Sequence, residues 1–321
     1  MLRQTLERLA GLVPPERTWV ITNREQEAAV REICPELAPG RIVAEPVGRD
    51  TAPAVALAAL LVEEAEGDRA FAMLPADHVI HDGDAFRDDL ARGFAAAEAA
   101  EVIAAVGIRP TFPATGYGYL RAGAERDDGL REIDAFVEKP DRSTAESYLA
   151  EGSYFWNGGI FVWRPRTVLA GLAAHRPGLH EAAGGIREAL RAGDALEEVL
   201  AARYPALEKI SIDYAVMEKA DNVVMVPSSF DWDDVGSWPA IGRHYPADEA
   251  GNVLRGAAEV AEGSGNIVFA GEGHLVGLIG VNDLVVIQSA DATLVCPKER
   301  AEEVKQLVRR IGSRPDGERF L

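Results

Sequence analysis

Short apolar runs and helix-period runs alternate through the first third of the chain, and this alternation limits the fold more than any other feature. Leu2, Leu6, Leu9 and Val13 repeat at helical spacing with charges between them. TWVIT (18–22) then reads as a strand and REQEAAVREI (24–33) as a helix. RIVAE (41–45), AFAML (70–74) and VIAAVGI (102–108) are further strands, separated by helical patterns over 52–66 and 85–101. Such alternation predicts a mainly parallel sheet covered by helices on both faces. Ligands of such sheets bind beyond the carboxyl ends of the strands, which makes the loops after strands the candidate site.

From about 115 to 163 the pattern changes to consecutive strands, GYGYLRA, LREIDAFVEK and SYFWNGGIFVW. Helical patterns return between Pro165 and Ala220, and NVVMVPSSFDW closes the unit with a strand. Beyond about 245, short strands separated by Gly and Asn repeat at close intervals, as in a small barrel or β-solenoid, before a charged helix over 298–311. Two domains are therefore expected, an α/β domain over 1–245 and a small β-solenoid-like domain with a C-terminal helix over 246–321.

With 33 Lys and Arg against 52 Asp and Glu, the formal charge is −19, which argues against nucleic acid or an anionic membrane as partner. An anionic substrate would need local cations or a metal to enter that field. The longest apolar run, Ala52 to Val62, contains Pro53 and is too short to span a bilayer. Cys34 and Cys296 are far apart, with no C-x-x-C spacing, which fits reduced thiols and a cytoplasmic protein.

Four stretches carry groups suited to chemistry. MLPADHVIHD (73–82) presents Asp77 at the carboxyl end of a strand, as a turn residue or as one carboxylate of a magnesium-phosphate site. His78, His81 and Asp82 lack further ligands at zinc spacing. FDWDDVGSW (230–238) gathers Asp231, Asp233 and Asp234, either a solvated helix-capping turn or acids that need a cation between them. ATGYGYL (114–120) places glycines between aromatics, a hairpin bend or a bare backbone that a flat ligand such as a sugar ring can approach. AFVEKPD (135–141) stops a strand on Glu138 and Lys139, followed at once by Pro140. Neighbouring strand residues point to opposite faces, so both side chains can serve one cleft only if the strand ends there. The alternative is a surface ion pair worth little. No usable phosphate cradle is found in the sequence.

Seven motifs in order, EPVGRDTAPA (45–54), LPADHVI (74–80), TGYGYL (115–120), FVEKP (136–140), WNGGIFVW (156–163), SIDYAVMEK (211–219) and FDWDDVGSW (230–238), make the chain resemble the mannose-1-phosphate guanylyltransferases, or GDP-mannose pyrophosphorylases. The resemblance spans nearly the whole chain. It implies a nucleotide-diphospho-sugar transferase fold, a Rossmann-like mixed sheet with helices on both faces, plus a small β-rich C-terminal domain. It implies the reaction of GTP with mannose 1-phosphate to give GDP-mannose and pyrophosphate, with Mg²⁺ as cofactor. By the same resemblance Glu138 takes sugar hydroxyls and Lys139 holds phosphate. Asn157 and Gly158 match the sugar-binding pair, and Gly118 the close backbone approach to the sugar. Asp77 and Asp234 match the magnesium ligands, and Asp77, Lys139 and Asp234 form the expected catalytic set. Arg49, Asp50 and Thr51 fall where the family meets guanine, and Glu45 is grouped with them as substrate-binding. A homodimer is the candidate assembly, with the β-rich tail able to supply its interface.

Two departures accompany the match. Asp50 stands where the family commonly has Asn. The family also opens with a strand and a glycine-rich loop of the type LAGGxGTRLWPLSR, whereas Met1 here begins in the helix that follows it. Loss of that strand and loop predicts a poorly soluble or inactive chain, and roughly 30–40 restored upstream residues should recover synthesis. The alternatives are a non-catalytic sugar-nucleotide-binding or regulatory homologue, or a pyrophosphorylase for another hexose 1-phosphate and nucleotide.

Overall fold

The computed structural model describes residues 1–320 and divides the chain into two compact units, Met1–Trp232 and Asp233–Leu321. The first unit carries strands β1 (Val20–Asn23), β2 (Ile42–Glu45), β3 (Phe71–Met73), β4 (Ile103–Ile108), β5 (Gly118–Glu125), β6 (Arg131–Glu138), β7 (Tyr154–Trp163) and β8 (Val223–Pro227). Its helices are α1 (Leu2–Arg8), α2 (Glu27–Ile33), α3 (Thr51–Glu66), α4 (Gly83–Ala99), α5 (Arg142–Glu151), α6 (Pro165–His175), α7 (Pro177–Arg191) and α8 (Leu196–Arg203). The apolar run that begins at Ala52 becomes α3, apolar nearly all round and buried accordingly. Asp50 starts it by accepting the Thr51 N–H.

Six strands form one sheet in the order β3-β7-β4-β8-β6-β5. The expectation of a mainly parallel sheet is corrected here. Within the first unit only β1–β2 and β4–β8 pair in parallel, and every other pairing is antiparallel. The cause is β7, ten residues long, which inserts between β3 and β4 and runs against both. Helix α4 links those two strands, but their edges are taken by β7 rather than by each other. Residues of β7 alternate between two apolar layers. Phe155, Phe161 and Trp163 pack with α3, α6 and α7, while Trp156, Ile160 and Val162 pack with α4.

Strands β1 and β2 form a separate two-stranded sheet. Among the described residues β1 pairs only with β2, and β3 only with β7. Residues of β1 and β3 help to line a cavity of about 450 Å³, together with Leu6, Leu9, Val13, Trp19 and Phe94.

In the second unit the helix α9 (Trp238–Arg243) precedes β9 (Val253–Arg255), β10 (Ala257–Ala261), β11 (Ile267–Phe269), β12 (Leu275–Ile279), β13 (Leu284–Gln288) and β14 (Thr293–Pro297), and α10 (Val304–Gly312) follows. Strand β11 pairs in parallel with β9 and β13, and β10 with β12, so successive coils stack as expected for a solenoid. The repeated asparagines hold the corners. Buried Asn252 accepts the backbone and side-chain N–H of Asn266 at 2.9 and 3.0 Å, and Asn266 accepts Leu284 N–H at 3.0 Å. Buried amides satisfied in this way avoid the penalty that an unpaired polar group would carry.

Candidate functional site

Strand β6 ends where the sequence requires. Lys139 adopts φ +48°, a left-handed conformation that a non-glycine residue rarely takes, and its N–H donates to the Tyr117 carbonyl at 3.2 Å. The reversal turns the Lys139 side chain back, and its ammonium donates to Glu138 Oε1. Lys139 remains about half exposed, whereas the Glu138 side chain is 7% exposed. Glu138 Oε2 is buried with no hydrogen-bond partner. A buried carboxylate oxygen left open in this way is a ready acceptor for a ligand hydroxyl.

Gly118 lies opposite Glu138 in the β5–β6 register. A Cβ at Gly118 would collide with Glu138 Oε2 and come within 3.3 Å of Asn157 Cβ, so glycine is what leaves this corner open. Asn157 sits where β7 loses register with β4, between the pairs Ala105–Phe161 and Gly107–Asn157. Gly159 makes the turn with φ +65°, and its N–H donates to Asn157 Oδ1 at 3.1 Å. Gly158 faces β4, where a side chain would press within 3.0 Å of the Val106 carbonyl oxygen. The structure thus brings Gly118, Glu138, Lys139 and Asn157 together.

It adds one residue that the sequence reading did not single out. Asn157 Nδ2 donates to Asp213 Oδ1 at 2.8 Å. Asp213 opens a π-helical turn, Asp213–Met217, a geometry frequent at functional sites. Burial first, and then the Glu138 charge, push its carboxyl up to about 6, against the favourable hydrogen bond from Asn157 and the Lys139 charge. The sequence signal was present in SIDYAVMEK, an acid followed by an apolar run on a short helical segment.

The second group of expected residues runs from the last residue of β2 to the start of α3. Glu45 accepts the Tyr204 hydroxyl, and burial raises the pKa of both groups. Arg49 donates to the Pro205 carbonyl, and its Nε is buried and unpartnered. Asp50 holds φ +67° and ψ −174°, a backbone region that favours glycine. Thr51 Oγ1 accepts the Ile212 N–H at 2.8 Å, and the Ala52 N–H donates to the Ile210 carbonyl at 3.0 Å. The start of α3 is therefore fastened to the segment that leads into Asp213.

Asp77 lies after β3 in the first unit, exposed. Asp231, at the end of the same unit, accepts the His81 and Asp82 N–H groups at 3.0 and 2.8 Å and pairs with His81 Nδ1 at 2.6 Å. It thereby anchors the loop that carries Asp77. His78 Nδ1 accepts the Trp232 indole N–H at 3.0 Å. In the second unit Asp233 is taken by Arg243 and His244, and Asp234 accepts the Gly236 N–H at 3.1 Å in its own turn. No group of three or more His, Cys, Asp or Glu suited to a metal occurs among the described residues.

A mixed α/β sheet with its polar cluster at strand ends, followed by a parallel coil of short strands, matches known family models. The nucleotidyl transferase model matches residues 1–250, and the MannoseP isomerase/GMP-like beta-helix domain matches residues 259–311. The chain belongs to the nucleotidyl transferase family. Among its relatives, mannose-1-phosphate guanylyltransferase from Klebsiella pneumoniae is 40% identical over 313 residues, covering 96% of this chain and 66% of the relative. Alginate biosynthesis protein AlgA from Pseudomonas aeruginosa is 38% identical over 315 residues, covering 96% of this chain and 64% of the relative. The chain thus spans just under two thirds of the length of these curated relatives. A crystal structure described as mannose-1-phosphate geranyltransferase from Thermus thermophilus superposes with a TM-score of 0.82 at 43% identity, covering 97% of this chain and 89% of that one.

Proposed function

We propose that the chain makes GDP-mannose and pyrophosphate from GTP and mannose 1-phosphate. The observation that carries this reading is the Glu138–Lys139 reversal beside Gly118 and Asn157. It offers one open, buried carboxylate oxygen and one half-exposed ammonium in a single corner, which suits a ligand with both hydroxyls and an anionic group. The names of the relatives, several of them mannose-1-phosphate guanylyltransferases, support the substrate assignment.

In this reading Glu138 Oε2 accepts a sugar hydroxyl and the Lys139 ammonium moves from Glu138 to the sugar phosphate. Asn157 and Gly158 line the sugar, and Gly118 leaves it room. Glu45, Arg49, Asp50 and Thr51 form the nucleotide side. An oxygen of the sugar phosphate attacks the α-phosphorus of GTP as the bond to pyrophosphate breaks, a step that depends on positioning and charge neutralisation. Mg²⁺ is the proposed cofactor, and when bound it would neutralise phosphate charge. Asp77, exposed in the loop after β3, offers a hard carboxylate oxygen of the kind such an ion takes.

The proposed setting is the cytoplasm, supported by two free cysteines, Cys34 and Cys296, and no helix among the described residues is long and apolar enough to cross a membrane. The proposed assembly is a homodimer, which could cover the exposed Leu275, Ile279 and Val295 of the second unit.

The test is pyrophosphate release from GTP with mannose 1-phosphate and Mg²⁺, alongside calorimetric binding of each substrate. Turnover with these substrates over other nucleotide and hexose 1-phosphate pairs is expected, and it would overturn the sequence expectation of an inactive chain. Tight binding of both substrates without turnover would favour a binding protein instead.

A further inference from the structure

Asp213 is a carboxylate of the cluster whose place is set by a hydrogen bond from a neutral site residue, Asn157. Its Oδ1 accepts Asn157 Nδ2, while Asn157 Oδ1 is already used by the Gly159 N–H. The Asn157 amide is therefore held at both ends, its nitrogen by Asp213 and its oxygen by the Gly159 N–H. Two charged groups act on Asp213, both at the end of β6. Glu138 opposes its ionisation and Lys139 favours it. Tyr214, next in the turn, is the neighbouring ionisable group and acts on Lys139 as well. The contacts described from the other elements are through neutral groups. Strand β7 meets it with the neutral Asn157 amide, α6 packs Gly171 against Val216, and α3 supplies the Thr51 hydroxyl to Ile212. Two carboxylates thus share one lysine, and one oxygen of the pair, Glu138 Oε2, has no partner.

We propose that Asp213 is a positioning residue of this site: it orients the Asn157 amide and takes up a proton when an anionic sugar draws Lys139 away from the Glu138–Asp213 pair. The ligand identity rests on the function proposed above. The phosphate oxygens accept from the Lys139 ammonium, so the cation that balanced Asp213 is engaged elsewhere and new negative charge stands nearby. Both changes favour the neutral carboxyl. The proton comes from solvent and binds one Asp213 oxygen. The other oxygen keeps the hydrogen bond from Asn157, and the new O–H becomes a donor. No covalent bond other than this O–H is made or broken.

Carbon-13 NMR of the side-chain carboxyls in the ligand-free chain tests the electrostatic arrangement alone, with Asp213→Asn identifying the resonance by its loss. Asp213 should titrate near 6, its midpoint moving up in Lys139→Met and down in Glu138→Gln. A midpoint near 3.8, or one that neither substitution moves, overturns the proposal whatever the chain binds. With mannose 1-phosphate present the midpoint should rise. Calorimetry at about pH 6.5, between the shifted midpoint and neutrality, in buffers of different ionisation heat, should record proton uptake that Asp213→Asn loses. Equal uptake by both chains overturns the proposal. No binding of mannose 1-phosphate by a chain whose Asp213 titrates as expected overturns the functional reading, and the proton uptake with it, while the Glu138–Lys139–Asp213 arrangement stands on the titration.

Discussion

Thr51 and Ile212, 161 residues apart, are joined by one hydrogen bond from the Ile212 N–H to the Thr51 hydroxyl at 2.8 Å. Ile212 immediately precedes Asp213, and Thr51 is the first residue of α3. The bond ties the proposed nucleotide side of the site to the turn that sets the proposed sugar side. Because Ile212 is buried, its N–H has no ready replacement partner. Thr51→Val should therefore cost about 1–3 kcal/mol, and Thr51→Ser should cost much less. Denaturant unfolding of the two variants checks this, and equal losses would mean that the hydroxyl is not what matters.

Gly118→Ala places a methyl group against the Glu138 carboxylate. Overpacking of this kind costs about 1–3 kcal/mol. Mannose 1-phosphate affinity should fall at least tenfold, and the loss should be smaller when Glu138 is already Ser, because the methyl then has nothing to displace. A double-mutant cycle measures the coupling. Strict additivity would show that Gly118 and Glu138 act independently.

Lys139→Ala should raise the requirement for mannose 1-phosphate roughly ten- to a hundredfold, as expected for a charge-assisted contact of about 1.5–3 kcal/mol. The requirement for GTP should change little. Steady-state kinetics with each substrate varied in turn separates the two. Equal effects on both would remove Lys139 from the sugar phosphate.

Asp213 also leaves a mark on stability, whose sign follows from its raised pKa. Between its ordinary 3.8 and about 6 the folded chain keeps a proton that the unfolded chain has released. Its contribution to stability therefore falls as pH rises through that window, and the full cost of a buried charge is present above it. The displacement corresponds to roughly 3 kcal/mol. Asp213→Asn keeps an acceptor for Asn157 and removes the charge. It should match the parent near pH 4 and exceed it in stability at pH 7.5, as read by denaturant unfolding at both values. A variant less stable than the parent at pH 7.5 would reverse the argument.

How much of this could be read in the sequence differs from residue to residue. The adjacent Glu138 and Lys139 required a strand end, and the left-handed Lys139 supplies it. The strands themselves were visible as apolar runs, but an apolar run does not say which neighbour it will pair with. The insertion of β7 between β3 and β4, which turns an expected parallel sheet into a mixed one, is a long-range choice of that kind. Asp213 was hidden for another reason. A single acid in an apolar helical segment reads as a surface position until the fold sets Asn157 and Glu138 around it. Glu45 and Arg49 were legible as polar residues at and after a strand end, but not their engagement with Tyr204 and Pro205, which lie far along the chain.

The separation of β1–β2 from the six-stranded sheet bears on how the first unit comes apart. No ladder hydrogen bond joins the two sheets among the described residues, so their amides are protected by different sets of partners. A cooperative sheet opens as one block, whereas two unlinked sheets can open at different free energies. Amide exchange should then resolve Val20–Asn23 and Ile42–Glu45 as a faster class than Ile103–Ile108 at the centre of the large sheet. A protease given time at equilibrium would be expected to make its first cuts around the smaller sheet, leaving intact the larger one with Glu138 and Asn157 and the turn of Asp213 beside them.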